Sequence, residues 1–372
     1  AMINKIMTIV LFVVFASNHS IARVQKLISD SIKTSEKTHL PGYFRGGPLV
    51  FPQVNPGPLA FYQNKIYKRR LDSLQKTIPL ACNQYVQNYI DLYTSKHKDQ
   101  VGKVLGLSKY YFPILEKALK DVGIPEEIKF ITIVESALNP NAVSHSGAKG
   151  LWQFMSATAK GYGLQMDHYV DERKDPVQAS YAAATYFKDV YNQFGDWLLA
   201  IAAYNCGASI VSKAIEKSGG IADFWRIRPY LPKQTQNYVP AFIATNYVMN
   251  YYKKHNILPT SAGINTATDV IEVNKVVSLA SVAKAAKLDL SILSALNPAY
   301  KKQIINGSQA RPKQLVMPLL SKQVYSSVYD ALNIQEVHKD IHHTEKNGVG
   351  TYTTKKHSKS KGKYHPHSSK KK

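Results

Sequence analysis

One short apolar segment that ends in a carboxylate constrains this chain more than any other feature. Pro125 fits the first position of a helix, and Asn139-Pro140 predicts the end of that helix. Glu135 lies in the last predicted turn. Apolar side chains cover nearly the whole circumference, which predicts a buried helix: Ile128, Phe130, Ile131, Ile133 and Val134. The segment therefore places a carboxyl group where charged side chains are rarely found.

Two physical effects act on a carboxyl group at that position. Burial disfavours the ionised form, and so does the negative end of the helix dipole, so both raise the pKa of Glu135. A carboxylic acid that stays protonated near neutral pH can act as a general acid. The helix alone leaves a second interpretation equally open, in which the carboxylate reaches solvent or pairs with a base, because structural ion pairs also shift pKa values.

The residues downstream of Glu135 favour the general acid. Six motifs occur in order: Glu135-Ser136, Ser144, Gly147-Ala148, residues 150–155 (Gly-Leu-Trp-Gln-Phe-Met), Ala203-Tyr204-Asn205, and Leu231-Pro232 with Tyr238-Val239. In this order and spacing they resemble the soluble lytic transglycosylases of bacterial cell walls, most closely the murein transglycosylase D type. The resemblance implies a lysozyme-like helical fold and a peptidoglycan glycan strand as substrate.

The acidic residues that follow Glu135 bear on the mechanism. Ordinary glycoside hydrolases use two carboxylates, but the next acids are Asp167, Asp171, Glu172 and Asp175, which are predicted to lie in loops or at a helix cap. One of them could still fold back over the site. The resemblance implies a mechanism with one carboxylate: Glu135 protonates the glycosidic oxygen and then removes the proton of the muramic acid 6-hydroxyl, which closes onto C1 as a 1,6-anhydro sugar. The alternatives are a lysozyme-like hydrolase that recruits a water, or a non-catalytic wall-binding protein.

The resemblance also carries over supporting residues. Those implied to bind substrate are Ser144, Gln153, Met155, Tyr204, Gln234 and Tyr238. Those implied to give structural support are Ser136, Gly147, Gly150 and Asn205. Trp152 is interpreted as a core aromatic rather than a sugar platform. Gln234 departs from the family pattern, which usually has Glu there, so the substrate preference of the family does not carry over with it.

Charge and the first residues predict where the chain acts. A formal net charge of +23 predicts a polyanionic partner, either nucleic acid or an anionic cell-wall or membrane surface. Residues 1–22 resemble a signal peptide, with Asn4-Lys5, an apolar run and a Ser20-Ile21-Ala22 cleavage site. This predicts export to the periplasm or cell envelope. Nucleic acid is not expected, since no nucleic-acid module is recognisable.

Cysteines and metal-ligand motifs exclude further options. No cysteine lies near the predicted cleavage site, so a lipobox anchor is not expected. Cys82 and Cys206 could pair in an oxidising compartment, but a small packing role is favoured for Cys206. No metal or cofactor is predicted, because no segment has metal-ligand or phosphate-loop spacing.

Helical patterns define the main domain. Residues 23–100 are predicted to hold a polar linker and then a Tyr-rich helical segment that packs against the domain. Residues 101–258 are predicted to form the lysozyme-like domain, so the fold class is mainly α. Besides the Glu135 helix, its predicted helices are 101–123, 150–155, one capped by Asp175-Pro176 and running to 191, 197–204 and 233–254.

A smaller β-α-α-β unit is predicted over residues 266–321. Strands at 271–277 and 314–318 flank helices at 279–287 and 290–296. This order resembles a LysM carbohydrate-binding module, although Val277-Ser278-Leu279 replaces the usual Gly-Asp-Thr opening, and a purely structural appendage is the alternative. Residues 336–372 are rich in Lys, His and Ser, which predicts a disordered basic tail with weak attraction to anionic surfaces.

Overall fold

The computed structural model describes residues 58–333, which form a helical domain followed by a small module of strands and helices. The mainly helical class is confirmed. The predicted signal peptide, the start of the predicted linker and the predicted basic tail lie outside the described residues. The helices of the domain are α1 (Pro58–Leu74), α2 (Gln84–Thr94), α3 (Lys98–Val122), α4 (Ile131–Ser136), α5 (Ser156–Gly161), α6 (Pro176–Phe194), α7 (Trp197–Cys206), α8 (Ala208–Lys217), α9 (Phe224–Ile227) and α10 (Lys233–Tyr251).

Local capping sets the ends of the longer helices. The Asp175 carboxylate accepts hydrogen bonds from the backbone N–H groups of Val177 and Gln178, so α6 begins at the Asp-Pro pair as predicted. Helix α3 ends at Gly123, whose φ of 80° lies in the left-handed region that favours glycine. Both boundaries depend on residues within one turn, which is why the sequence predicts them.

The core of the domain is built around α7. Every residue from Trp197 to Ala203 in this helix is buried, and the side chains of Phe187 on α6 and Phe242 on α10 are fully buried beside it. A helix that is apolar on all sides has no face to offer to water and must lie in the interior. Helix α10 packs against both α7 and α4, so it joins the core to the predicted catalytic helix.

The Tyr-rich segment packs against the domain, as predicted. Leu71 of α1 and Ile90 of α2 are fully buried in the common core. The Arg70 guanidinium donates a hydrogen bond of 2.6 Å to the Tyr247 hydroxyl on α10. Within α1 and α2, the Tyr67 hydroxyl donates to the Asp91 carboxylate at 2.9 Å. Burial and polar pairing therefore both attach this segment to α10.

The helix that carries Glu135 differs from its prediction at both ends. It opens as a 3₁₀ turn (Glu126–Phe130) and only then becomes α4. It ends at Ala137 and Leu138, whose φ values of 50° and 61° are left-handed, rather than at the Asn-Pro pair. The N–H groups of these two residues bond to the carbonyls of Ile133 and Thr132, which closes the helix end. Burial of both side chains overrides their low preference for this backbone conformation.

The small module has its own apolar core. Its elements are β1 (Thr268–Val273), β2 (Val276–Ser278), α11 (Leu279–Ala285), α12 (Leu290–Leu296), β3 (Ile304–Asn306), β4 (Lys313–Pro318) and α13 (Lys322–Asn333). Strand β1 pairs antiparallel with β4, with Ile271 opposite Leu315, and β2 pairs antiparallel with β3. Ile271, Leu293 and Leu315 are buried between these strands and α12. The predicted β-α-α-β order is therefore present.

Three features of the module were not predicted. The strand expected over residues 271–277 is divided into β1 and β2, which belong to different sheets. Strand β3 is too short to show a recognisable alternation, and α13 lies beyond the predicted unit. Val328 of α13 is fully buried in the module core, so this last helix is part of the module.

Among residues 58–333, no single helix has both the length and the apolar character of a membrane span. The consecutive helices α7 and α8 have the length and apolar character of a membrane span only when they are taken together, and they are bent by 119° relative to each other.

Candidate active site

The Glu135 side chain is partly buried at the end of α4. Burial raises the pKa of Glu135 to about 7. The Tyr238 hydroxyl on α10 donates a hydrogen bond of 2.5 Å to Glu135 Oε1. That bond favours the carboxylate and acts against the effect of burial, but burial dominates. The group therefore changes protonation state near neutral pH, as the sequence analysis expects of a general acid.

Two tyrosines interact with this carboxyl group, and a third packs against one of them. Tyr238 is buried, and burial together with the charge of Glu135 raises the pKa of its phenol well above the ordinary value. The same two causes raise the pKa of Tyr204. Tyr186 on α6 stacks edge-on against Tyr204, with ring centroids 5.2 Å apart. These phenols stay protonated at neutral pH, so they act as hydrogen-bond donors.

The Tyr204 hydroxyl bonds to the backbone of the 150–155 loop. Its hydroxyl donates to the backbone carbonyl of Trp152 at 2.6 Å rather than to Glu135. Its ring stacks on Phe187, with centroids 4.7 Å apart and planes 11° apart. Tyr204 therefore ties the 150–155 loop to the core, close to the Glu135 carboxyl. Neither Tyr186 nor Phe187 was singled out from the sequence, because both have the spacing of ordinary core residues on α6.

The segment 150–155 is a loop, so the helix predicted there is wrong. It forms turns and an isolated β-bridge between Lys149 and Phe154, and helix α5 begins only after it. A Cβ atom at Gly150 would lie 1.7 Å from the carbonyl oxygen of Arg173, and its φ is 85°. The backbone at position 150 thus lies so close to the 172–174 segment that only glycine fits there. This contact, distant in sequence, prevents helix formation.

The predicted sugar-binding side chains in and before the 150–155 loop differ in how far they are engaged by the protein backbone. Ser144 Oγ accepts a hydrogen bond of 3.0 Å from the Ala148 N–H. Gln153, at φ 52°, donates through Nε2 to the carbonyls of Ala142 and Gly150, so these bonds engage only its nitrogen. Met155 is 45% exposed. Ser144 and Gln153 therefore also brace the loop, whereas Met155 is accessible to a ligand.

An ion pair that the sequence did not reveal supports this loop. The buried Arg173 guanidinium holds Asp171 through two hydrogen bonds of 2.9 and 2.8 Å. It also donates to the carbonyls of Gly147 and Phe154. Burial alone would raise the pKa of Asp171, but Arg173 and then Lys149 bring it below its ordinary value. An Arg near an acid is common on surfaces, so the sequence carried no specific signal for this pair.

The other acids considered as a second carboxylate also have structural partners. Asp167 accepts from the N–H groups of Tyr169 and Val170, and Glu172 accepts from the Gln165 N–H. Asp175 caps α6. Together with Asp171, all four have hydrogen-bond or ion-pair partners other than Glu135.

The residues expected to give structural support lie between the elements of the site. The buried Ser136 hydroxyl is 2.9 Å from the carbonyls of both Thr132 and Leu151 and so connects α4 to the loop. Asn205 Oδ1 accepts a hydrogen bond of 2.8 Å from Thr235 Oγ1, which joins the end of α7 to the start of α10. Gly147 has a left-handed φ of 83°. These contacts agree with the structural roles that the resemblance implies.

Trp152 and Gln234 lie at opposite extremes of exposure. Trp152 is fully buried and donates to Ser180 Oγ at 2.9 Å, as expected of a core aromatic. Gln234 is exposed on the first turn of α10, one helical turn before Tyr238 and on the same face. Gln234 is therefore accessible to a ligand next to the site.

Cys82 and Cys206 are free thiols and do not pair. Cys206 packs against the main core at the end of α7. No cluster of three potential metal ligands occurs in the part of the chain that the structure describes.

Two known protein families match this chain, and their matches cover the Glu135 site and the small module. The family "Transglycosylase SLT domain" matches residues 112–224, and "Lytic transglycosylase MltD, LysM-like domain" matches residues 267–334. The first match covers Glu135 and the loop, and the second covers the small module. The chain therefore carries a transglycosylase SLT domain followed by an MltD-type LysM-like domain, and the recognition made from the motifs is confirmed.

Individual relatives point the same way. The chain is 32% identical over 227 residues to membrane-bound lytic murein transglycosylase D of Escherichia coli K12, covering 60% of this chain and 49% of that protein. It is 26% identical over 227 residues to membrane-bound lytic murein transglycosylase C of Haemophilus influenzae, covering 56% of this chain and 58% of that protein. The chain thus spans about half the length of these curated relatives.

Among solved structures, the 70 kDa soluble lytic transglycosylase of Escherichia coli matches with a TM-score of 0.35 and 20% identity, covering 64% of this chain and 42% of that one.

Proposed function

We propose that this chain is a peptidoglycan lytic transglycosylase. It cleaves the β-1,4 bond between N-acetylmuramic acid and N-acetylglucosamine and forms a 1,6-anhydromuramoyl product. The observation that carries the proposal is the partly buried Glu135 carboxyl, with a pKa of about 7 and the Tyr238 hydroxyl 2.5 Å away. The SLT-domain match and the names of the relatives, which are lytic murein transglycosylases, support the substrate class.

The first step uses Glu135 as an acid. With a pKa near 7, about half of the carboxyl groups carry a proton at neutral pH, and this proton is transferred to the glycosidic oxygen as the bond to C1 breaks. General acid catalysis is most effective when the pKa lies near the working pH, and is worth roughly 10²–10⁴ in rate. An ordinary solvent-exposed glutamate would be almost fully ionised and could not serve.

The second step uses the same group as a base. The Glu135 carboxylate removes the proton of the muramic acid 6-hydroxyl, and the oxygen of that hydroxyl closes onto C1. Tyr238 donates to Oε1 and so stabilises the carboxylate between the two proton transfers. The proton returns to Glu135, so the cycle needs neither water nor a second carboxylate.

The contacts of Glu135 support a mechanism with one carboxylate. Within residues 58–333, the causes that shift its pKa are burial and the Tyr238 hydroxyl, and no acid is among them. Asp171, buried in the same region, is bound by Arg173 and held as a carboxylate. An inverting or retaining hydrolase places a second carboxyl group across the scissile bond, and the described acids near the site are engaged elsewhere.

The exposed or half-buried residues around Glu135 are proposed to bind the glycan. Met155 offers an adaptable apolar surface at the start of α5. Gln153 keeps its carbonyl oxygen as an acceptor, since its two bonds use Nε2. Ser144, Tyr204 and Gln234 complete the exposed or half-buried part of the proposed set, which also includes the buried Tyr238. Gln234, which is neutral where the family usually has Glu, is proposed to alter the preference for the stem peptide.

Location and wall binding belong to the same proposal. Activity on peptidoglycan requires the cell envelope, which agrees with the signal-peptide pattern of residues 1–22 and with the net charge of +23. The LysM-like module is proposed to bind glycan strands, and the basic residues of 336–372 to attract the chain to anionic wall or membrane surfaces.

The test is mass spectrometry of the products released from purified peptidoglycan. Anhydro-terminated muropeptides are expected from the natural chain, and their rate of release should fall by about 10²–10⁴ in Glu135→Gln, since the amide cannot transfer a proton. Glu216→Gln is the matched control, because Glu216 is exposed on α8. Reducing-end products would show hydrolysis instead, and no product from the natural chain would leave a binding role.

A further inference from the structure

The LysM-like module is joined to the SLT domain by backbone hydrogen bonds. The N–H of Asp171 donates to the carbonyl of Ala299 at 2.9 Å, and the N–H of Lys301 donates to the carbonyl of Tyr169 at 2.8 Å. Val170 and Tyr300 lie opposite each other in an antiparallel bridge. Residues 169–171 of the domain and 299–301 of the module therefore form a short two-stranded contact, which we call the seam.

Apolar burial accompanies these bonds. Val170 is 2% exposed and Ala299 4% exposed. Leu296, at the end of α12, is buried in the core of the helical domain rather than in that of the module, and Val316 of β4 packs against the same core. The seam is thus an interior contact of one compact unit, unlike the flexible tether that would suffice for a binding module.

Lysines of the module flank the seam on both sides. Lys301 Nζ donates to the carbonyl of Asp167 at 2.6 Å. Lys313 Nζ donates to Gln165 Oε1 at 3.1 Å and lies 3.7 Å from the Glu172 carboxylate, and both charged side chains are less than one-fifth exposed. Partly buried pairs of this kind resist screening by salt. They hold the 165–172 segment from its two ends.

The connection to the module is also pinned to the domain. The Thr260 N–H donates to the carbonyl of Gly102 on α3 at 2.8 Å. One turn later, a Cβ atom at Gly106 would lie 1.8 Å from the Thr260 carbonyl oxygen. The two glycines of α3 therefore let the backbone at Thr260 lie directly against the helix. The path between the two parts therefore has little freedom.

The seam leads directly to the active-site loop. Asp171, whose N–H bonds to the module, holds Arg173 through both carboxylate oxygens. Arg173 in turn donates to the carbonyls of Gly147 and Phe154, on both sides of the loop. Each link is a direct hydrogen bond between buried or half-buried groups. The module and the loop next to Glu135 thus share the Asp171–Arg173 pair.

We propose that the LysM-like module is a positioning element of the active site, acting through the seam and the Asp171–Arg173 pair on the 147–155 loop, in addition to any binding of the wall. The proposal rests on the proposed function, because its kinetic readout is transglycosylase turnover. Lys301 and Lys313 are positioning residues in this scheme. They touch no reacting atom, and they act by fixing the segment that carries Asp171.

The experiment compares the full chain with the variant Lys301→Ala/Lys313→Ala on two substrates. A soluble glycan fragment of four sugars reports on the active site, and cosedimentation with purified sacculi reports on wall binding. We expect kcat on the soluble fragment to fall by about tenfold, because small displacements of positioning groups are costly to catalysis, while sacculus binding is unchanged.

Two control variants separate positioning from a general loss of charge. Lys275→Ala removes a lysine that donates to the Asn333 carbonyl inside the module, and it should leave kcat unchanged. Lys313→Arg, made in the natural chain, keeps a cation and a hydrogen-bond donor at this position. This variant should retain most of the turnover of the natural chain. If sacculus binding falls while kcat on the soluble fragment is unchanged, the module only binds the wall and the proposal is wrong.

Hydrogen exchange provides a readout that does not depend on activity. In the double lysine variant, the amides of Phe154 and Gly150, which bond to the Lys149 and Ala142 carbonyls, should exchange faster than in the natural chain. If the natural chain shows no turnover, the proposed function fails, and the exchange rates alone decide the positioning role. Unchanged exchange of these amides would overturn it.

Discussion

Two carboxyl groups in the SLT domain, one partly buried and one buried, have opposite electrostatic settings. Glu135 has a neutral phenol as its partner, and burial raises its pKa to about 7. Asp171 has the Arg173 guanidinium and the Lys149 ammonium as partners, and its pKa is below the ordinary value despite burial. The charge of the partner, rather than the depth of burial, decides which carboxyl can donate a proton.

The difference separates chemistry from support within one small region. Glu135, at the end of α4, is protonated in about half of the molecules at neutral pH and is the proposed general acid. Asp171 stays ionised and binds Arg173, which braces the loop beside Glu135. Pairing Asp171 with Arg173 and Lys149 keeps this second carboxyl group ionised.

The largest expected effect comes from removing the base of the unreactive pair. Arg173→Met leaves the Asp171 carboxylate buried with only Lys149, and breaking a buried pair in this way costs about 3–5 kcal/mol of folding free energy. Chemical denaturation at pH 7 measures it. Lys68→Ala, which breaks an exposed pair with Asp72, is the control and should be neutral.

The same variant has a defined pH dependence. Because Arg173 lowers the pKa of Asp171 in the folded state, the stabilisation is present above the unfolded pKa and is lost as pH falls through the folded pKa. The destabilisation by Arg173→Met should therefore shrink in acid. A cost that is independent of pH would show that Arg173 acts by packing alone.

The next effect concerns the stability cost of the reactive acid. The pKa of Glu135 is raised from 4.5 to about 7 in the folded state, so the folded state binds the Glu135 proton more tightly than the unfolded state. The stability that this proton contributes is fully present below pH 4.5 and is lost as pH rises through 7. The loss amounts to up to about 3 kcal/mol. Glu135→Gln should therefore gain stability relative to the natural chain between pH 4.5 and pH 8.

Thermal unfolding of both chains across this pH range measures the difference. The exposed control Glu216→Gln should give a melting temperature that follows the natural chain at every pH. If the difference between Glu135→Gln and the natural chain does not grow with pH, the Glu135 carboxyl is not protonated at neutral pH.

The smallest effect tests the phenol partner. Tyr238→Phe removes the donor that favours the carboxylate, so the pKa of Glu135 should rise above about 7. The alkaline limb of the pH profile of kcat/KM should move to higher pH. A single hydrogen bond is worth about 1 kcal/mol, so the shift is modest.

Tyr204→Phe is the matched comparison for that measurement. The Tyr204 hydroxyl bonds to the Trp152 carbonyl and not to Glu135. This variant should therefore change kcat without moving the alkaline limb of the kcat/KM profile. Equal shifts in the two variants would mean that Tyr238 has no special role in setting the pKa.

Much of the fold was predictable because its signals are local. The Asp175-Pro176 start of α6, the Gly123 end of α3 and the all-apolar α7 depend on residues within one or two turns. The motif around Glu135 identified the site for the same reason, since its residues lie close together in sequence. Tyr238 was found only through the resemblance, because no local pattern connects it to Glu135.

Other features could not be predicted because they arise from contacts between distant segments. The 150–155 loop is prevented from forming a helix by the approach of Gly150 to Arg173. The left-handed end of α4 at Ala137 and Leu138 requires a core that buries both side chains. Neither contact leaves a periodic signal in the sequence.

The sequence by itself determined the helical class, the position of the acid at the end of a buried helix, and the β-α-α-β order of the module, because capping, periodicity and short motifs act between neighbours along the chain. Only the tertiary structure decided that Tyr238 is the partner of Glu135, that Arg173 joins the Asp171 carboxylate to the carbonyls of Gly147 and Phe154, and that residues 299–301 of the module bond to residues 169–171. Electrostatics and hydrogen bonding depend on distance in space, and residues far apart in sequence are brought together only by the packed core.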